Sequence, residues 1–255
     1  MKVKAVLKQD IQRRIFWFSG NYLIMFAILG LVPPFLNYFF GNMFDVNDYI
    51  SAMNFINSLL LPILVVSFVV DDQGSRISDY YFKTRQGRHL YLFSLLICGL
   101  CLGLLAGFLL IGVCALLSMV LSVAVSWKVL TVLLASYILL PLFYLVLGIT
   151  MYLFFHIQGV TLTIFNLVLM MIVPILINIG ASTIGLGILL QSPFYILTFL
   201  GMGSGTMNEL FYCLVSILVL YGINHWKILR IDFSTLVGHD LILVHPHVDR
   251  KHHLA

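Results

Sequence analysis

Long apolar runs separated by short polar segments make up most of the chain. Six of these runs are long enough to cross a bilayer as helices, because a transmembrane helix needs about 20 mostly apolar residues. They lie at about 15–40, 49–70, 91–123, 129–155, 160–179 and 210–225. The pattern therefore predicts an all-α integral membrane fold, with six transmembrane helices in a domain spanning residues 15–225.

The segment before the first run, residues 1–14, repeats apolar side chains at every fourth position, with basic side chains over the remaining surface. This pattern predicts a short amphipathic helix that lies in the membrane interface. The apolar positions are Val3, Leu7 and Ile11, and the basic ones are Lys4, Lys8, Arg13 and Arg14. We also expect Pro33-Pro34 to break or kink the end of the first span, because proline lacks the N–H donor and clashes with the preceding turn.

The region before the last span, residues 180–206, is apolar but broken by glycines and by Pro193. It predicts one or two apolar half-helices that dip into the outer leaflet, which is tolerated only where protein or water covers the backbone. A full additional span is the alternative. Residues 226–255 are polar and predict a cytosolic tail.

Composition and charge strengthen the membrane assignment. The chain is 61% hydrophobic and 9% charged, whereas soluble domains carry roughly 25% charged residues. Every lysine and arginine except Lys128 falls on the same side of the predicted spans as the N-terminus. The positive-inside rule therefore places both termini in the cytoplasm, and we expect a multi-pass protein of a bacterial cell membrane. No basic stripe is interleaved with aromatic side chains, so no nucleic-acid partner is expected.

Motifs for chemistry are missing from the sequence. The acidic residues fall at span ends, in loops or in the tail, where they form no proton relay or paired catalytic carboxylates. There is no HExxH zinc motif and no GxxxxGK[ST] phosphate loop. We therefore expect neither enzyme activity, nor a cofactor, nor a metal site in this chain. The tail histidines fit no metal motif, and a solvated tail or a partner contact is favoured for them; they are His239, His245, His247, His252 and His253.

Uncharged polar residues within the predicted spans permit two interpretations. They can join helices by hydrogen bonds, which we favour, or they can line a substrate path. The candidates for such a path are Asn54, Asn57, Asn166 and Asn178.

The polar segment at residues 71–90 connects the second and third spans on the predicted cytosolic side. Ser75 is a good helix start, and Ile77, Tyr80 and Tyr81 would share one face of the short helix that follows. An aromatic face parallel to the membrane would suit the docking of a soluble partner. A solvated anchor of basic residues is the simpler alternative.

This segment resembles the loop between the second and third spans of ABC-2 type exporter permeases. In that family, the third span is preceded by an acidic residue, a Gly followed by Ser or Thr, a hydrophobic turn, and a Ser or Gly followed by Arg. The matching residues in this chain are Asp71, Gly74, Ser75, Tyr80, Tyr81, Gly87 and Arg88. The resemblance in architecture covers most of the chain, but the motif spans only about 20 residues. Members of the family often have a lysine early in the third span, where this chain has Leu95 or its apolar neighbours.

The resemblance implies one permease half, which pairs with a second permease half (a second copy or a paralogue) and with two copies of a cytosolic ABC ATPase. ATP and Mg would then be bound by the ATPase, with none in this chain. The implied contacts with the ATPase are Gly74, Ser75, Arg76, Ile77, Tyr80, Tyr81 and Arg88, with a second, smaller contact at His156 and Gln158.

The abundance of aromatic residues, 20 Phe and 12 Tyr, suits a hydrophobic or amphipathic cargo. Small permeases of this kind resemble exporters of peptides, bacteriocins or toxins, or immunity proteins against them, so a peptide is favoured, with a hydrophobic drug or a lipid-linked cargo next. The rival hypotheses are an intramembrane peptidase or acyltransferase, and a non-transporting membrane anchor or immunity subunit.

Overall fold

Every regular element in the described part of the chain is helical. The structure is a computed structural model, and it describes residues 2–40, 46–74, 81–121, 126–185, 187–199 and 206–230. The helices are α1 (Lys2–Phe40), α2 (Val46–Gly74), α3 (Arg85–Leu121), α4 (Trp127–Phe155), α5 (Gly159–Ile184), α6 (Pro193–Phe199) and α7 (Met207–Arg230). A 3-10 turn, Gly187–Gln191, precedes α6.

Six of these helices, α1 to α5 and α7, are long and apolar enough to cross a membrane. Each contains most of one predicted apolar run. The predicted all-α membrane fold with six spanning helices is therefore confirmed. The helices also take up much of the polar segment 71–90, because α2 continues to Gly74 and α3 already begins at Arg85.

The fourth span, α4, is the central helix of the bundle. It packs against α2, α3, α5 and α7, and most of its side chains are buried all around the helix. The sequence explains this position, because α4 is apolar on every face and has no polar stripe to present to solvent. Pro141 lies within this helix without ending it, as is common for proline in membrane-spanning helices.

The contact between α3 and α4 depends on a row of glycines that sequence reasoning overlooked. Gly99, Gly103 and Gly107 repeat every fourth residue and face α4. A Cβ added at Gly103 would lie 2.6 Å from the Tyr137 carbonyl oxygen, which is closer than real contacts allow. The row matches the small-xxx-small pattern that lets membrane helices approach closely.

The N-terminal segment differs from its prediction. Residues 2–14 are helical, but they continue without a break into the first span, and α1 also runs through Pro33-Pro34 to Phe40. The predicted boundary between two helices and the predicted break at Pro33-Pro34 are thus not observed, whereas the interfacial position of residues 1–14 stays a prediction. One reason is that a single buried stripe, spaced by four residues, follows α1 from its polar part into its apolar part. Its members are Asp10, Arg14, Phe18, Tyr22 and Phe26.

In the region predicted to form half-helices, the residues that the structure describes after the end of α5 at Ile184 form only short elements. Gly185 ends α5 in a left-handed conformation, with φ of 73°. The short helix α6 buries Ile196 and Leu197, and its Phe194 ring meets the Phe143 ring of α4 edge-on at 5.1 Å. The depth of these elements in a bilayer stays a prediction. The predicted tail beyond residue 230 lies outside the described residues.

Candidate functional site

Hydrogen bonds between helix termini gather several chain segments at one end of the bundle. The side-chain oxygen Oε1 of Gln73, at the end of α2, accepts a hydrogen bond from the backbone N–H of Gly159, at the start of α5, at 2.8 Å. Arg88, near the start of α3, donates to the Ile228 and Leu229 carbonyls at the end of α7. We call this end, which includes residues 8–14, 71–74, 81–90, 155–159 and 225–230, the basic end.

A buried ion network ties α1 to α2 at the basic end. The Nη2 atom of Arg14 donates to both carboxylate oxygens of Asp72 at 2.8 Å and to Oδ2 of Asp10 at 2.7 Å. Nε of Arg14 reaches Oδ1 of Asp10 at 3.2 Å. Arg14 is 2% exposed and Asp72 is 0% exposed. Charges persist in such a place only when they are paired and hydrogen-bonded.

This network corrects two sequence-based expectations. Arg14 was assigned to the solvated face of an interfacial helix, and Asp72 to a polar loop. Both belong instead to helices that can span the membrane, and both are buried. The four-residue spacing of Asp10 and Arg14 with Phe18 and Tyr22 was a usable signal, because residues at i and i+4 share a helix face. The partner Asp72 had no comparable signal.

Tyr81 is buried rather than presented on a docking face. Its side chain is 0% exposed, its hydroxyl donates to Oδ2 of Asp10 at 3.4 Å, and its ring lies 5.8 Å from that of Tyr91. Burial, and next the charge of Asp10, raises the pKa of Tyr81 above its usual value. The neighbouring Phe82 is also buried against Tyr91. Tyr81 therefore fastens the end of the α2–α3 connection to the bundle.

Arg88 also joins this part of the chain to the bundle, by hydrogen bonds to the end of α7. Its Nε donates to the Phe82 carbonyl at 2.9 Å, and its Nη1 bonds to the last carbonyls of α7. Those carbonyls lack partners within their own helix, and a cation at a helix C-terminus is favourable. Gly87 makes the turn possible, because a Cβ at this position would collide with the Tyr81 carbonyl oxygen.

The remaining predicted coupling residues are only partly described. Gly74 is the last residue of α2, and Ser75, Arg76, Ile77 and Tyr80 lie outside the described residues. His156 ends α4 in a left-handed conformation, with φ of 53°, and its side chain is exposed. Gln158 is half-buried and precedes α5. The structure thus brings Tyr81, Arg88, His156 and Gln158 to the same end of the bundle.

The four predicted path residues differ in burial and in hydrogen bonding. Asn57 is buried and joins three helices: it accepts from the Tyr22 hydroxyl at 2.8 Å and donates to the Tyr137 hydroxyl at 3.1 Å. Asn54 is also buried on α2. Asn166 is buried and donates to Leu162 of its own helix, whereas Asn178 is exposed on α5. For Asn57 these contacts favour the interpretation as an interhelical hydrogen-bond bridge.

Two further contacts of α7 with other helices had no sequence signal. His89 on α3 and His225 on α7 lie with Nδ1 and Nε2 only 2.6 Å apart, and Asn224 donates to the Val146 carbonyl of α4 at 2.8 Å. Within the described ranges, no group of three or more His, Cys, Asp or Glu side chains comes together to hold a metal ion. The tail histidines lie outside those ranges.

The fold and these contacts define an all-α, multi-span membrane protein. Comparison of the sequence with protein-family models and with curated proteins found no match. The functional assignment therefore rests on the chain itself.

Proposed function

We propose that this chain is the permease subunit of an ATP-driven ABC exporter. In this proposal it moves a hydrophobic or amphipathic substrate, with a peptide favoured, out of the cell. The energy comes from a separate cytosolic ATPase, present in two copies, which binds ATP and Mg. A second permease half, either another copy or a paralogue, completes the membrane domain.

The observation that supports the proposal most is the fastening of the α2–α3 connection to other helices. Tyr81 and the Arg14–Asp72 pair connect it to α1, and Arg88 connects it to the end of α7. Gln73 connects the end of α2 to the start of α5. A partner that displaced this connection would therefore act on several spans at once, as coupling between two sites requires.

The burial of Tyr81 changes which residues would meet the ATPase. A soluble partner can only contact exposed side chains, and at the basic end the described ones include Lys83, Arg85 and His156. Tyr81 then transmits displacement by its packing, and His156 keeps its predicted role as a direct contact.

Apart from the paired Asp10–Arg14–Asp72 network of α1 and α2, the charge pattern supports an external energy source. No Asp, Glu, Lys or Arg occurs between Lys128 and Glu209, a stretch that includes nearly all of α4 and all of α5. Ion-coupled transporters generally use ionisable residues inside their spans.

The test combines co-purification with ATP turnover. The tagged chain is purified from its native membranes, and the co-purifying ATPase is reconstituted with it in vesicles. We expect one ATPase copy per chain. We also expect His156→Asn combined with Arg85→Gln to lower peptide-stimulated ATP turnover by about 5-fold or more, the low end of typical coupling energies. Asparagine tolerates the left-handed backbone at residue 156.

Lys128→Gln is the matched control, because it removes one exposed charge at the start of α4, the opposite end from His156. It should leave turnover unchanged. If no ATPase co-purifies, the anchor or immunity hypothesis is favoured. If both variants behave alike, the docking surface is wrongly assigned.

A further inference from the structure

The side of α1 that faces away from the other helices carries a regular row of exposed side chains. α1 packs against α3 and α2, and its buried stripe includes Phe18, Tyr22 and Phe26. On the other side of the helix, exposed positions follow one another at alternating intervals of four and three residues. We call these positions the exposed stripe: Trp17, Asn21, Ile24, Ile28, Leu31 and Phe35.

The spacing of the exposed stripe is that of a helix–helix contact. Residues at alternating intervals of four and three keep facing one partner helix over several turns, as in a coiled coil. The five apolar members are between 44% and 63% exposed. Apolar exposure alone needs no protein partner in a membrane, because lipid tails cover it equally well. The polar member of the stripe therefore decides whether it is a docking surface.

Asn21 is that polar member. It is exposed, and its amide makes no hydrogen bond to any residue that the structure describes. It lies near the middle of the candidate span Lys8–Val32, about 9 Å along the helix from Ile15, where the apolar run begins. Lipid tails have neither donors nor acceptors, so an amide at this depth loses the hydrogen bonds that water would give it. A polar side chain of a partner helix at the same depth would replace them.

Gly20 borders the exposed stripe and makes a close approach possible. A Cβ added at Gly20 would have nothing within 4 Å, so the packing inside this chain does not require a residue this small. Small residues at contacts between membrane helices let the two backbones come close together. A close approach at Gly20 would bring the short side chain of Asn21 within hydrogen-bonding distance of a partner.

Asn178 on α5 is also exposed, but its position differs. It lies in the last two turns of α5, which ends at Ile184, whereas Asn21 lies near the middle of its span. An amide near the end of a span reaches the polar interface more easily than one near the middle. Asn21 is therefore the exposed amide that gains more from a protein partner.

A second copy of this chain supplies the partner that Asn21 requires. An asparagine side chain has both donors and an acceptor, so two asparagines related by a two-fold axis can exchange hydrogen bonds. Copies of one chain insert in the same orientation, because each has the same distribution of basic residues. A two-fold axis along the membrane normal then makes the two α1 helices parallel, with equivalent residues at the same depth.

We propose that the exposed stripe of α1 packs against the same stripe of a second copy of this chain. The two Asn21 side chains hydrogen-bond across the two-fold axis, as a single buried asparagine does when it fixes the register and the oligomeric state of a coiled coil. In its meaning for export the inference rests on the proposed function, in which it makes the second permease half another copy rather than a paralogue.

Cysteine cross-linking tests the contact without the ATPase. The full-length chain is reconstituted in phospholipid vesicles and oxidised with copper phenanthroline. Ile24→Cys and Ile28→Cys should form disulfide-linked dimers. Leu23→Cys is the matched control, because it is next to Ile24 and 42% exposed but does not belong to the stripe. We expect it to cross-link about tenfold more slowly, since contact raises the effective concentration of the thiols. The parent protein gives the background from the native cysteines.

Energy transfer between donor-labelled and acceptor-labelled copies, followed as the vesicles are diluted with lipid, tests the role of Asn21. Asn21→Leu should raise the dissociation constant of the dimer by about tenfold, the value of one polar contact between membrane helices. Asn21→Gln keeps the amide and should retain most of the affinity. Circular dichroism checks that each variant is folded.

Three results would overturn the proposal. The first is equal cross-linking of Ile24→Cys and Leu23→Cys. The second is an unchanged dissociation constant in folded Asn21→Leu protein. The third is weakened association in Asn178→Leu but not in Asn21→Leu, which would move the contact to α5. Each result leaves the exporter hypothesis standing, because a paralogue or another face could supply the second half. Conversely, failure to co-purify an ATPase would leave the α1 contact standing.

Discussion

Arg14 is the residue on which the basic end depends most. It carries the only positive charge that directly contacts both Asp10 and Asp72 among the described side chains. Removal of one partner from a buried ion pair is strongly destabilising, because the other charge stays buried without compensation. Without Arg14, two buried carboxylates, those of Asp10 and Asp72, would lose this cation.

We expect Arg14→Gln to lower the free energy of unfolding by about 3–5 kcal/mol. Arg13→Gln is the matched control, since the Arg13 side chain is 50% exposed and its ion pair with Asp10 is long; it should cost about 0–1 kcal/mol. Unfolding in mixed detergent micelles, followed by circular dichroism, measures both. Equal losses in the two variants would contradict the buried network.

At the scale of elements, the close approach of α3 to α4 is the most demanding contact. It needs glycine where the helices cross, because any side chain at Gly103 would meet the backbone of Tyr137 and Ile138. Backbone atoms of a central helix cannot move aside as a flexible side chain can. The packing of α4, and with it the core, depends on this crossing.

The predicted effect of Gly103→Ala is a loss of about 1–3 kcal/mol in stability, as is usual for overpacking. Gly112→Ala lies on the same helix and has nothing within 4 Å of its added Cβ. It should be neutral or stabilising by up to about 1 kcal/mol, because alanine is the better helix former. Thermal unfolding of the parent protein and the two variants in one detergent measures these changes in stability. A neutral Gly103→Ala would show that α3 and α4 are further apart than in this structure.

For the whole molecule, the predicted orientation can be tested with introduced cysteines. The native cysteines give little background, because Cys98, Cys114 and Cys213 are buried and Cys101 is half-buried. We expect a membrane-impermeant maleimide added to intact cells to label Lys128→Cys and Asn208→Cys, at the starts of α4 and α7. Arg85→Cys, at the start of α3, should react only after the cells are permeabilised. Labelling of Arg85→Cys in intact cells would reverse the orientation.

How far the sequence predicts this protein depends on the scale. The spans follow from run length alone, so helices α2 to α5 and α7 lie close to their predicted positions. The orientation and the resemblance to exporter permeases also come from the sequence alone, and both stay predictions. At the level of elements, the glycine row of α3 can be read from the sequence. The sequence does not show that α4 packs against this row, because many faces of membrane helices could do so.

Individual site residues were the hardest to predict. The sequence placed Tyr81, Arg88, His156 and Gln158 at one end of the bundle, and the structure agrees on that proximity. The prediction that Tyr81 is exposed was wrong, because aromatic periodicity in a short segment does not reveal which face the rest of the chain covers.

The sequence by itself determined the class of the protein, because hydrocarbon accepts only long apolar helices and each needs a minimum length. Only the tertiary structure decided which charged side chains are buried and paired. Whether Arg14 faces water or the interior depends on which side chain lies opposite it, and Asp72 is 58 residues away in the chain. Pairing in space, which local pattern cannot specify, converts these polar positions into a buried network.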